Sequence, residues 1–135
     1  MSMAKFCETV TEVIESLPEP FAECLENVVV DVEERPSPRV LREQGLRADE
    51  WSELFGYFEG APITEQHFGE HHPNRVTLFK QSIEAASRSV SEIRYEIRRT
   101  LIHELAHHFG YSEDDLEEFE SKESPFDNED FTEEP

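Results

Sequence analysis

The chain has 135 residues, 36% of them hydrophobic and 33% charged, enough for one domain with a real core and too few for two comfortable ones. A formal charge of −20 argues against a surface for nucleic-acid backbone or anionic membrane, and favours basic peptides, cations or basic protein surfaces as partners. Two cysteines, Cys7 and Cys24, make neither a disulfide framework nor a CxxC metal knuckle. The opening MSMAKFCETV has no apolar leader, and no apolar run approaches membrane-spanning length. The expectation is a cytoplasmic, monomeric protein.

In chain order, AKFCETVTEVIESL places Phe6, Val10, Val13, Ile14 and Leu17 on one face of a helix. Pro18 and Pro20 end it and begin a second short helix reaching Leu25. The β-branched run NVVVDVEE reads as a strand stopped by RPSP, and PRVLREQ as a short helix before Gly45. ELFGYFEG reads as a strand or hairpin arm closed by Gly60 and Pro62, and FGEHHPN as a loop. RVTLFK is a further strand, either a sheet edge able to pair with an extended peptide or an interior strand. QSIEAAS carries a helix. The longest helical pattern runs from Ser89 to Phe109, with Ser89 or Ser91 as N-cap.

Charge then divides the chain. From Glu113 onward there are twelve acids against Lys122 alone, and the last residues show no sustained period. Residues 1–121 are therefore read as the folded domain and 122–135 as an acidic, disordered tail. Helices, then short strands, then helices predict an α+β fold, a small mixed sheet covered on one side.

The chemistry concentrates in RRTLIHELAHHFGYSEDD. At 100° per residue, Val90, Ile97, Leu101 and Leu105 form an apolar stripe, and His103 and His107 fall together on the opposite side. Two imidazoles one turn apart on one face can grip a single metal ion. Glu104 sits beside them, displaced around the helix, where a carboxylate can act on water without being a ligand. Gly110 can adopt a positive φ and end the helix. His108 falls on the Ile97/Leu101 side and is expected to be buried and hydrogen-bonded, while His67, His71 and His72 are expected on an exposed loop.

A catalytic zinc site keeps three protein ligands. The pattern H-E-x-x-H-x-x-G-x-x-E brings Glu113 to the spacing at which metzincins carry a third histidine. No methionine follows Met3, so a metzincin is excluded. The third ligand lies open between Glu113, Asp114 and Glu117, with the first favoured and water or a residue of HFGEHH as the remaining alternatives; Ser112 with its trailing acids also reads simply as a helix start.

TLIHELAHHFG, with LFGYFEGAPITE and RVTLFKQSI upstream, resembles the small bacterial zincin-like metallopeptidases over roughly Phe6 to Glu120. The resemblance implies a compact, minimal zincin-like α+β domain with a small sheet backing the active-site helix. It also implies His103, His107 and Glu113 as zinc ligands, Glu104 as general base, and a peptide or protein substrate. Tyr111 is a candidate oxyanion donor. The competing expectation is a non-catalytic acidic protein that docks on a basic partner, its metal site structural or vestigial. Joining the two, the tail would act as a tethered lid over the cleft.

Overall fold

The computed structural model describes residues 1–60, 74–110 and 114. Helix α1 spans Met3–Glu15, started by the Ser2 side chain, which accepts from the Lys5 amide at 3.1 Å. It buries Phe6, Thr9, Val10 and Val13, and Leu17 follows it into the core. The short α2, Phe21–Cys24, comes directly after the two prolines and inserts Phe21. A 3-10 turn, Leu25–Asn27, leads into strand β1, Val28–Glu33. Helix α3, Pro38–Glu43, has proline in its first turn, where a missing N–H costs nothing. Its Ser37 cap accepts from the Val40 amide, and Gly45, at φ +74°, releases the chain beyond it.

A second 3-10 helix, Ala48–Glu53, precedes β2, Gly56–Glu59. That helix was not anticipated: ADEWSE is too short for helical periodicity to register. Strand β3, Asn74–Phe79, runs straight into α4, Lys80–Ala85. The chain then enters α5, Val90–His108, whose Ser89 cap accepts from the Glu92 amide at 3.1 Å.

The sheet has the order β1-β3-β2, with β1 parallel and β2 antiparallel to β3. RVTLF is therefore the interior strand, not an edge; Val76 through Phe79 are buried in succession, as a strand covered on both faces requires. Register puts Val30 opposite Val76 and Phe58 opposite Val76, and Val32 and Gly56 opposite Leu78. This apolar face meets α1 and α5 in one core containing Phe6, Phe21, Val76, Leu78, Ile97, Leu101 and Leu105. The other face carries Asp31, Arg75, Tyr57 and Glu59. The expected α+β architecture, a small mixed sheet packed under helices, is what the chain forms, although cover is not confined to one side, since Thr77 and Phe79 on the other face of β3 are buried as well. No helix among the described residues is long and apolar enough to cross a membrane. The proposed boundary at residue 122 and the acidic tail lie outside the described residues.

Candidate metal and catalytic site

Helix α5 is placed by its hydrophobic residues. Ile97, Leu101 and Leu105 are fully buried, with Ile102 and Ala106 beside them. These fix the rotation of the helix, and the rotation decides where its polar residues go. His103 and Glu104 are left half-buried and His107 exposed. The expected apolar stripe holds at Ile97, Leu101 and Leu105, with His103 and His107 off it, but Val90 at the start of the helix is exposed.

The centres of the His103 and His107 rings are 6.2 Å apart, their planes inclined at 58°. On a tetrahedral ion, with zinc–nitrogen bonds of about 2.1 Å and ring nitrogens about 1.1 Å from the ring centres, two imidazole centres lie about 5.2 Å apart, so the observed pair stands about 1 Å wider than one shared ion requires and would have to close by side-chain rotation. Two neutral imidazoles with a carboxylate suit zinc far better than calcium or magnesium. The donor types present therefore suit the ion.

Glu104 occupies a different environment from the surface acids. Burial drives its pKa up to about 7, against an opposing pull from the charge of His103. The confinement has a definite source at the start of β2. A Cβ built on Gly56 would lie 2.5 Å from Thr100 Cγ2, 3.4 Å from the Thr77 carbonyl oxygen and 3.6 Å from Glu104 Cγ. Only a residue without a side chain lets the strand approach α5 so closely. Beside this contact opens a cleft of 440 Å³ lined by Glu53, Leu54, Phe55, Gly56, Arg99, Thr100, His103 and Glu104.

His108 departs from expectation. It is exposed rather than buried, with its ring stacked on Phe58 at 3.8 Å and edge-on to Phe109. Desolvation by these neighbours lowers its pKa. Gly110, at φ +82°, ends the helix as predicted.

Of the proposed third ligands, Asp114 is exposed; Glu113 and Glu117 lie outside the described residues, as do Tyr111, His67, His71 and His72. Among the described residues no group of three or more His, Cys, Asp or Glu side chains gathers around a common point. The structure thus sets the His103 and His107 rings 6.2 Å apart and places His103 and Glu104 on the wall of the cleft, without gathering the three around one point. Six cleft residues escaped the sequence reading: Glu53, Leu54, Phe55, Gly56, Arg99 and Thr100. Two were within its reach, since Arg99 and Thr100 precede His103 by one helical turn and so share its side of the helix. Gly56, interior to the ELFGYFEG strand pattern, was the signal for a close backbone approach.

A three-stranded mixed sheet backing a capped helix with H-E-x-x-H on its open face is the arrangement of a minimal zincin. The family of zincin-like metallopeptidases matches the chain over residues 25–123, and the chain belongs to that family. Among solved structures it resembles a conserved hypothetical protein from T. thermophilus, with 26% identity and a TM-score of 0.53. The match covers 80% of this chain and 94% of that one. No curated protein matches significantly.

Proposed function

We propose that this protein is a zinc-dependent peptidase in which His103 and His107 hold the ion, Glu113 completes the ligand set, and Glu104 is the general base. The observation carrying this reading is the pair of imidazoles 6.2 Å apart next to a carboxylate kept from solvent, on the helix that borders the cleft. Membership of the metallopeptidase family supports it. A bound zinc ion would supply Lewis-acid polarisation of the scissile carbonyl and acidify a water molecule.

The chain's own residues account for the rest. Glu104, with its pKa raised to about 7, is matched to proton transfer at neutral pH. A cation held by the neighbouring imidazoles favours its carboxylate form, which takes the proton from the attacking water at a side-chain oxygen and passes it to the leaving amine. Gly56 and Thr100 press β2 against α5 and keep bulk water from Glu104 on that side. Among the described residues strand β2 is an edge of the sheet and its first residue lines the cleft, so it offers an extended peptide a place to pair. The edge-pairing role considered for RVTLF passes to this strand.

The test is Glu104→Gln. The variant should retain zinc while its kcat on an unstructured peptide falls by about a thousandfold, within the usual range for losing a general base. Unimpaired turnover with zinc still bound would remove Glu104 from the mechanism.

A further inference from the structure

The cleft has an asymmetry of charge. Among the described residues lining it, Arg99 is the one lysine or arginine, in a chain of net charge −20. It stands one helical turn before His103, on the same side of α5. Its Nη2 donates to Glu96 Oε2 at 3.1 Å, and its guanidinium lies 5.9 Å from the centre of the Tyr95 ring. These contacts steady the side chain from its own helix. A guanidinium has five N–H donors in a planar fork, and the bond to Glu96 engages one of its two terminal nitrogens. Arg99 is 46% exposed and Glu96 14%, so the arginine end of the pair is the accessible one. Leu54 and Phe55, from the chain entering β2, supply apolar wall, and Glu53 is exposed.

From this we infer that Arg99 makes the cleft selective for substrates carrying a carboxylate at one fixed position close to the scissile bond. The inference rests on the peptidase reading above and assigns it a substrate class. The chain's overall negative charge does not oppose it. Fields from distant surface acids are screened over about 8 Å at physiological salt, whereas a carboxylate in the cleft touches Arg99 directly and can accept two parallel hydrogen bonds. A lysine or arginine side chain at the same place would meet a fixed cation. The carboxylate has two sources, an Asp or Glu side chain and the C-terminus of a short peptide.

Matched peptide pairs separate these sources. One set exchanges Glu for Gln at each position flanking the bond; the other exchanges a free C-terminal acid for its amide. Two quantities are read: kcat/KM with the zinc-loaded full chain, and equilibrium binding to the zinc-loaded Glu104→Gln protein by fluorescence anisotropy. The acid member of one set should be preferred by about tenfold in both, the usual weight of a hydrogen bond to a charged group. Arg99→Ala should bring that ratio to about one, Arg99→Lys should keep part of it, and Arg99→Glu should turn the preference toward Lys-containing peptides. Thermal unfolding of each variant checks that the fold is intact. Equal treatment of acid and amide by the wild type, or a preference that survives Arg99→Ala, overturns the inference. An Arg99-dependent binding preference without cleavage of any peptide would sink the peptidase reading and leave Arg99 as the carboxylate-binding residue of the cleft; cleavage without preference would do the reverse.

Discussion

Two sets of ionisable side chains lie on opposite sides of the sheet, and they differ in how their charge is met. On the polar face Asp31 and Arg75 pair at 2.7 Å, Arg39 and Glu43 at 2.9 Å, and the Tyr57 hydroxyl donates to Glu43. That hydrogen bond, ahead of the pull of Arg39, holds the Glu43 carboxyl below its ordinary range. All are at least partly open to water. Against the apolar face, Glu104 is withdrawn from solvent, and its pKa rises to about 7 instead of falling. The first set is a surface whose charges satisfy one another. The second holds a carboxylate whose environment disfavours its charged form, the condition under which a nearby cation would have the most effect.

The contrast can be strained from both sides. On the apolar face, Leu101→Ala removes a fully buried side chain beneath the His-Glu-His turn and should cost about 3 kcal/mol in urea unfolding. On the polar face, Arg75→Ala removes a pair whose side chains are 48% and 42% exposed, and should cost less than about 1 kcal/mol. Comparable losses would mean that the polar face carries far more of the fold than its exposure allows.

The close approach of β2 to α5 gives a sharper test. Gly56→Ala should destabilise the protein by roughly 2 kcal/mol, because its methyl collides with Thr100. Thr100→Ser deletes the very carbon that is struck, so the double variant should regain most of the loss. Strict additivity of the two changes would contradict the packing described.

The elevated Glu104 pKa also predicts a pH dependence in protein stripped of metal by a chelator. Below pH 4.5 the carboxyl is protonated in both folded and unfolded chains and contributes nothing. Between pH 4.5 and about 7 the unfolded chain loses the proton while the folded one keeps it, so stability declines as pH rises and levels off above pH 7. Relative to metal-free Glu104→Gln, the wild type should lose on the order of 2 kcal/mol between pH 5 and 7.5. Parallel stability curves for the two proteins would show that Glu104 is not held from water.

Much of this was legible from residues whose physics is local. Ser89 caps α5 where a hydroxyl before an apolar period predicts it, Pro38 opens α3, and Gly110 closes the long helix. The β-branched run at 28–33 became the strand it resembles. What local reading cannot carry is the extent of the core. His108 shares an angular sector with Ile97 and Leu101, yet those two are buried in the core and His108, in the last turn, is exposed and only stacked on Phe58. Helical angle continues beyond the point where burial stops. The role of Gly56 likewise depends on which strand lies beside α5, a fact of tertiary pairing that no spacing encodes. His103 and His107 sit one turn apart in the sequence and are close in space for that reason, whereas helical spacing says nothing of residues beyond Gly110.

The central claim is that His103 and His107 share one ion, and zinc content measures it most directly. Purified full-length protein, equilibrated with zinc and freed of excess, should hold about one zinc per chain, and His103→Ala and His107→Ala should each lose it while remaining folded. Wild-type protein that retains no zinc, or either variant retaining it undiminished, would contradict the account.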